Sequence, residues 1–257
     1  IYGSVTISAG VFSGNGAGMQ VHGDWNVTGG SFTSGTCAQC YVTFQGAVDQ
    51  HIDASSFHWV YFYTTVGNIY LDGDVTITNL ATFGTRIVYG KYGATNAKLI
   101  FNDGADAAAE NGSSFFVGAV RKVGNDVFQF PIGKNNTWAP LGIAAPPNVT
   151  DVFTAEYINA PYSSLTPLEA GLDHVSNYYY WDLTQNTGTS SVKVTLYWKD
   201  NLMGVDDLAT LRVARWDGSQ WKNLNGATSG NVNTDGDITT SSAVPNPPNY
   251  GPFTMAS

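Results

Sequence analysis

The chain is poor in charged residues and almost without glutamate. Charged side chains make up 12% of its 257 residues, and only 3 of the 20 acidic residues are Glu. Asp favours turns whereas Glu favours helices, so this imbalance argues against a helical fold. Disordered chains combine high charge with few aromatic residues, but aromatics reach 13% here. The composition therefore predicts an ordered all-β protein.

Basic residues and long apolar runs are scarce as well. Only 11 Lys and Arg residues are present, which gives a net charge of −9 and a pI near 4.6. A chain this acidic lacks the basic surface that nucleic acid requires, so no nucleic-acid partner is expected. No run of about 18 or more apolar residues occurs, so no membrane span is expected. The first residues lack a basic leader and a cleavage signal, and we expect a mature or excised chain.

Cysteine is limited to Cys37 and Cys40 in the sequence CAQC. A CxxC pair without a second pair and without a nearby helical pattern is a weak signal for zinc binding or redox chemistry. We expect a local disulfide between the two residues, or two thiols without a chemical role. A metal or redox function is the less favoured alternative.

An internal repeat is the most informative feature of the first half. Residues 3–12 (GSVTISAGVF) align with residues 23–32 (GDWNVTGGSF) at an offset of 20 residues. The aligned apolar pairs are Val5 with Trp25, Ile7 with Val27, and Phe12 with Phe32. Between the copies lie short alternating runs that end at Gly, Asn or Asp, which is typical of short strands joined by turns.

A third copy of the repeat occupies residues 73–83 (GDVTITNLATF), with Val75, Ile77 and Phe83 in the apolar positions. Repeats of this length cannot bury their own apolar faces and must stack on each other. We therefore predict a short parallel β-helix with irregular turns over residues 1–118. A meandering antiparallel sandwich is the alternative.

The second half has longer alternating runs and more proline, and we predict an antiparallel β-sandwich over residues 119–257. One strand shows clean alternation, with an apolar face formed by Val192, Val194, Leu196 and Trp198. Asp217 and Gly218 lie between two further strands and predict a hairpin. Residues 164–176 (SLTPLEAGLDHVS) fit either a short helix or a long connection.

Several segments together resemble large secreted surface proteins of the Bacteroidota. The segments are VTFQG (42–46), QHI (50–52), FFVGAVRKVG (115–124), FQFPIG (128–133), WAP (138–140) and RWDGSQW (215–221). Proteins of that type are often exported by the type IX secretion system and include gliding and adhesion proteins. In that family the closing FTMAS (253–257) typically precedes a sorting domain that is cleaved during export. The resemblance implies an extracellular, non-catalytic role at the cell surface.

Catalytic motifs are not found in the sequence. The four histidines belong to no HExxH or GxSxG signature, and we interpret His51 and His58, beside Asp49 and Asp53, as turn residues facing solvent. The paired carboxylates Asp72 with Asp74 and Asp206 with Asp207 are also more typical of turns than of glycoside chemistry. A calcium-dependent enzyme like the polysaccharide lyases is the catalytic alternative, and it would depend on fold analogy alone.

One segment near the C-terminus is a weak calcium candidate. Its alternating oxygen-bearing side chains are Asn231, Asn233, Asp235 and Asp237. The spacing begins like a calcium loop, but Ser242 stands where a bidentate Glu is required. A hairpin turn stabilised by Asn and Asp is the favoured interpretation, and no other cofactor is expected.

The segment NYYYWDL holds adjacent aromatic residues. In a strand, Tyr178 and Tyr180 face one side while Tyr179 and Trp181 face the other. One pair is therefore expected in the core. The other pair is a candidate for ligand stacking or for contact with another subunit.

The first strand lacks the usual protection of a sheet edge. Residues 1–8 (IYGSVTIS) contain no charge and no proline, and we predict an assembly edge that includes Ile1, Tyr2, Val5 and Ile7. A neighbouring copy, or flanking domains of a larger surface protein, would have to cover this edge. Head-to-tail contacts propagate, so we predict an extracellular structural protein that forms a fibre or an adhesive stalk. A glycan-binding or glycan-cleaving module on a β-helix is the alternative.

Overall fold

A computed structural model describes most of the chain. The described residues are 1–14, 16–84, 86–199, 203–245 and 250–257. They contain many short β-strands and no α-helix, as the composition predicts. No helix among them is long and apolar enough to cross a membrane. The chain divides into two compact units, Ile1–Lys122 and Val123–Ser257.

The strands of the first unit are short. In chain order they are β1 (Val5–Ile7), β2 (Val11–Ser13), β3 (Met19–Val21), β4 (Trp25–Val27), β5 (Ser31–Thr33), β6 (Tyr41–Phe44), β7 (Gln50–Ile52), β8 (Ser55–Phe62), β9 (Ile69–Leu71), β10 (Val75–Phe83), β11 (Val88–Tyr89), β12 (Lys91–Tyr92), β13 (Thr95–Asn96), β14 (Leu99–Phe101), β15 (Asp106–Ala108), β16 (Phe116–Val117) and β17 (Val120–Val123).

Apart from β12 and β13, which form a separate antiparallel pair, these strands form three parallel faces of a β-helix. The first face has the order β1-β4-β7-β9-β11-β16. The second face holds the parallel pair β2 and β5, and then the first part of β8, the first part of β10, β14 and β17. The third face contains β3, β6, the last parts of β8 and β10, and β15. We call one turn of the chain around these faces a rung.

The repeat of residues 3–12 and 23–32 is confirmed by the register of the first two rungs. Val5 lies opposite Trp25, Ile7 opposite Val27, and Phe12 opposite Phe32. Stacking of equivalent residues in successive rungs gives columns of buried side chains in each face, as a solenoid requires. One such column contains Phe44, Phe62 and Phe83, all buried on the third face.

The apolar residues of the third copy are buried as predicted, but this copy begins on a different face of the β-helix from the first two copies. Val75 and Ile77 pair with Ser55 and Phe57 on the second face, whereas the first two copies begin on the first face. The second rung is longer than the first, because the insertion at residues 34–40 between β5 and β6 and the turn at residues 45–49 between β6 and β7 both exceed their counterparts in the first rung. A repeat of constant length therefore predicts the strand positions correctly for the first two rungs only.

The second unit consists of antiparallel strands. They are β18 (Phe128–Phe130), β19 (Gly133–Lys134), β20 (Thr137–Trp138), β21 (Leu141–Ile143), β22 (Val152–Ile158), β23 (Tyr180–Thr187), β24 (Val194–Lys199), β25 (Arg212–Trp216), β26 (Trp221–Asn223), β27 (Ala227–Gly230), β28 (Asp235–Thr239) and β29 (Gly251–Ala256). One sheet has the order β18-β21-β24-β28-β27, and another contains β22-β23-β29-β25-β26.

Large aromatic side chains fill the core of the second unit. Trp181, Trp198, Trp221 and Tyr250 are fully buried. The indole N–H of Trp181 donates to the carbonyl of Ala139 at 2.8 Å, so this buried polar group is satisfied. The predicted apolar face of β24 is confirmed, and Asp217 and Gly218 form the turn between β25 and β26. Residues 164–176 form a connection without helix.

Candidate functional site

The first rung is the candidate functional site. Its strands are β1, β2 and β3, and each of them lies at the end of its sheet. Each is therefore paired with the second rung on one side only. Which backbone N–H and C=O groups of this rung remain unpaired depends on the side towards which each residue directs them.

In β1 the backbone alternates between the neighbouring strand and the outside. The Val5 N–H donates to the Asp24 carbonyl at 2.8 Å, and the Ile7 carbonyl accepts from the Thr28 N–H at 3.0 Å. Alternate residues of a parallel strand bond to opposite sides. The N–H and C=O of Thr6 therefore point away from β4.

The same alternation holds in β2. The Ser31 N–H donates to the Gly10 carbonyl at 2.9 Å, so the even-numbered residues face β5. Val11 and Ser13 consequently direct their N–H and C=O groups away from β5. We call the outward backbone of Thr6, Val11 and Ser13 the open edge.

The third strand of the rung is partly covered by the chain itself. The amino group of Ile1 donates to the Gln20 carbonyl at 2.8 Å, and the Ile1 carbonyl accepts from the His22 N–H at 3.2 Å. Gln20 is the residue of β3 whose backbone faces outward, because Val21 bonds to Gln45 of the second rung. Ile1 therefore closes the edge at β3 and leaves β1 and β2 open.

The residues predicted for the assembly edge, Ile1, Tyr2, Val5 and Ile7, are partly exposed and partly buried. Val5 and Ile7 are buried and bond to β4, so they support the rung from inside. Tyr2 is 98% exposed and stacks on His22. The sequence analysis missed Thr6, although strand alternation separates it from Val5 and Ile7 and was the available signal.

The surface around the open edge combines exposed apolar and hydroxyl side chains and has no charged side chain. Val11 is 69% exposed and Ile1 is 51% exposed, and residues 1–14 and 16–21 contain no charged side chain. Soluble proteins usually protect edges with Lys, Pro, bulges or a covering segment. The described part of this rung has only the cover that Ile1 gives to β3.

The aromatic segment before and within β23 is divided between two environments. Tyr179 and Trp181 are buried, whereas Tyr178 is 72% exposed and Tyr180 is half-buried against Tyr162. Burial raises the pKa of the Tyr179 hydroxyl, which donates to the Met203 carbonyl at 2.7 Å. Tyr178 is therefore the member of the segment that is available to a ligand.

The calcium candidate forms the turn and one strand of the hairpin between β27 and β28. The Asn231 side-chain oxygen accepts from the Asn233 N–H at 2.8 Å, and Asp235 pairs with Lys199 at 3.1 Å. Burial raises the pKa of Asp237, partly offset by Lys199. Two of the four candidate side chains, Asn231 and Asp235, are thus already bonded within the chain, as expected for a turn stabilised by Asn and Asp.

Cys37 and Cys40 form a disulfide within the insertion of the second rung. The Gly16 N–H lies 3.4 Å from the Cys40 sulfur. The pair therefore closes a local loop beside the first rung. Among the described residues, no group of three or more His, Cys, Asp and Glu side chains is arranged to hold a metal ion.

Among the residues that the structure describes, the histidines and carboxylates considered from the sequence do not converge on one centre. His51 bonds to Asp72 at 3.0 Å, while Asp74 accepts from the Lys98 N–H at 2.8 Å. His58 contacts Thr78 at 3.2 Å. These contacts link successive rungs on the outside of the first unit. The side chains involved therefore already have partners within the chain.

Aromatic rings continue the column that begins at His51. The rings of His51 and Tyr70, and those of Tyr70 and Tyr89, are stacked with centroids 5.2 Å apart. Burial, followed by the neighbouring Tyr70 and Asp49, raises the pKa of the Tyr89 hydroxyl. Tyr92 packs edge-on against Tyr70 and donates to Asp72. The ring of Tyr70 is thus covered by His51 on one face and by Tyr89 on the other.

Comparison with protein-family models, with curated proteins and with solved structures gave no match to this chain.

Proposed function

We propose that the chain is a non-catalytic extracellular structural protein that self-associates head to tail into a fibre or an adhesive stalk. The observation that carries this proposal is the open edge at Thr6, Val11 and Ser13, which lies in a surface without charged side chains. Unpaired backbone groups of this kind recruit another strand by β-augmentation. Each hydrogen bond so formed contributes about 1 kcal/mol, and apolar burial adds to it.

The second unit supplies an edge of matching character. Strand β27 (Ala227–Gly230) ends its sheet, carries no charge and is largely exposed. Pairing of β27 with the open edge of the next copy joins two different surfaces, and such contacts propagate into filaments. This complementarity favours a second copy as the partner over an unrelated strand.

The cellular location is part of the same proposal. The resemblance to secreted Bacteroidota surface proteins, with export by the type IX system, supports an extracellular site. The disulfide between Cys37 and Cys40 agrees with an oxidising environment. In this account the second unit is a β-sandwich, and the β-helix of the first unit acts as a stiff spacer.

The test is to block the open edge with Thr6→Pro and to image the purified protein by electron microscopy. Proline removes the outward N–H of Thr6 and no hydrogen bond to β4, so the fold is retained and filaments are lost. Thr6→Val keeps the N–H and is expected to assemble like the unchanged protein. Circular dichroism of each variant checks that the strands are intact.

A second pair of variants tests the same edge without a backbone change. Val11→Lys places a charge on the open edge, whereas Val66→Lys places the same charge at a valine of nearly equal exposure, 66% against 69%. We expect only Val11→Lys to abolish assembly. Filaments from Thr6→Pro and Val11→Lys, or no filaments from the unchanged protein, would refute the proposal.

A further inference from the structure

The second unit contains a groove of about 450 Å³. Its floor is apolar and is formed by the buried side chains of Val175, Tyr179, Met203 and Met255. Binding sites for small molecules typically enclose about 300–1,000 Å³ and combine an apolar lining with a few polar groups. The groove therefore has the size and the floor of a ligand site.

Hydrogen bonds fix the walls of the groove. The Asp173 N–H donates to the Ser257 carbonyl at 2.6 Å, and the Ser176 N–H donates to the Met255 carbonyl at 3.0 Å. The Tyr179 hydroxyl ties the opposite wall through its bond to Met203. A groove held in this way needs little reorganisation on binding, which preserves affinity.

An exposed aromatic ring lies at the rim. Tyr178 is 72% exposed, although its neighbour Tyr179 is buried in the floor. The Tyr178 N–H lies 3.3 Å from the Ser176 hydroxyl oxygen, which holds the backbone of this turn. The ring therefore offers an apolar face to a ligand in the groove.

Carboxylates provide the polar part of the rim. Asp207 is used within its own loop, where it accepts from the Ala209 N–H and the Thr210 hydroxyl. Among the described residues, no donor reaches the Asp206 carboxylate, and Asp173 contacts only its neighbour His174 at 3.2 Å. No Lys or Arg is found in the described lining. Asp206 and Asp173 are consequently available to accept hydrogen bonds from a ligand.

We propose that this groove binds a neutral carbohydrate. The apolar C–H face of a sugar ring packs on Tyr178, while its hydroxyl groups donate to Asp206 and Asp173. Hydrogen bonds to ionised carboxylates are stronger than neutral ones, and the acidic rim repels anionic sugars. The site goes beyond the structural role and does not depend on assembly, because none of its residues belongs to the open edge.

The test is a binding screen by ligand-detected NMR followed by calorimetry. The probes are neutral oligosaccharides of cellulose, xylan, mannan and chitin, with oligogalacturonate as the anionic probe and a lysine-rich peptide as the cationic probe. We expect at least one neutral sugar to bind through the ring of Tyr178 and oligogalacturonate not to bind, whereas any attraction of the lysine-rich peptide to the acidic rim should be screened by salt and unaffected by Tyr178→Ala. Tyr178→Ala should weaken the binding of the sugar about tenfold, because it removes the ring on which the sugar stacks.

Two further variants separate the groove from general surface effects. Asp206→Asn keeps the shape and removes the charge, and it should weaken binding about threefold. Tyr63→Ala removes an exposed tyrosine of the first unit, 43% exposed, and should leave binding unchanged. The proposal is overturned if no neutral sugar binds, if Tyr178→Ala binds as well as the unchanged protein, or if the anionic probe binds instead.

Discussion

At the scale of single residues, Gln50 shows how the β-helix satisfies polar groups in its interior. Its side chain is completely buried. The Gln50 oxygen accepts from the Gly46 N–H at 2.7 Å, and its nitrogen donates to the carbonyls of Val21 and Gly23 at 3.2 and 2.6 Å. Gly46 leaves room for this contact, because a Cβ there would lie 2.8 Å from the Gln50 side chain. One amide thus connects the turns of three successive rungs.

We expect Gln50→Leu to lower the free energy of unfolding by about 2 kcal/mol, because it leaves the buried N–H of Gly46 and the partly buried carbonyl of Gly23 without their side-chain partner. Urea unfolding followed by tryptophan fluorescence measures the change. Gln45→Leu is the matched control, since the Gln45 side chain is half-buried and contacts only His22. Equal losses in the two variants would contradict the role of Gln50.

At the scale of elements, the hairpin of β25 and β26 depends on one ionised side chain. The Asp217 carboxylate accepts from the N–H groups of Gln220 and Ser219 at 2.9 and 2.8 Å. These two bonds, with the Ser219 hydroxyl, lower the pKa of Asp217 to about 2 from its ordinary value of 3.8. Ionised Asp217 therefore stabilises the folded hairpin.

The lowered pKa of Asp217 predicts how stability depends on pH. A carboxyl group with a lowered folded pKa stabilises the fold above its unfolded value of 3.8, and this contribution disappears as pH falls through about 2. Asp217→Asn should therefore unfold at a lower temperature than the unchanged protein at neutral pH. Thermal unfolding measured across this range should show the difference shrinking towards about pH 2. A difference that stays constant with pH would contradict this assignment.

The alternation and repetition of apolar residues along the sequence were sufficient to predict many of the strands. The pairing of Val5 with Trp25 and of Phe12 with Phe32 followed from a repeat of apolar positions, because equivalent residues of adjacent rungs must stack. The face on which Val75 lies did not follow, because the longer connections at residues 34–40 and 45–49 change the length of a rung without changing the local pattern.

The candidate sites depended on information beyond the local pattern. Exposure of Tyr178 beside buried Tyr179 could be predicted from strand alternation. The groove next to Tyr178 could not, since its walls come from residues 173–178, 203–211 and 255–257, which are distant in sequence. Strand alternation separates Thr6 from Val5 and Ile7 in the sequence, but the position of β4 is needed to show which of the two sets directs its backbone outward.

At the scale of the whole molecule, net charge opposes association and the uncharged first rung allows it. A net charge of −9 makes copies repel each other at a distance, and salt screens this repulsion beyond about 8 Å at physiological ionic strength. Hydrogen bonds and apolar contacts act only at short range. Association is therefore expected where a strand edge is unpaired and carries no charged side chain, as at residues 5–13.

Hydrogen exchange at the amides of Thr6, Val11 and Ser13 tests the central claim most directly. The measurement compares dispersed protein with assembled protein, and the amide of Ile77, inside the β-helix, serves as the reference. We predict fast exchange of the three amides in the dispersed protein and strong protection after assembly, with Ile77 protected in both. Amides of Thr6, Val11 and Ser13 that still exchange quickly in assembled protein would contradict the account.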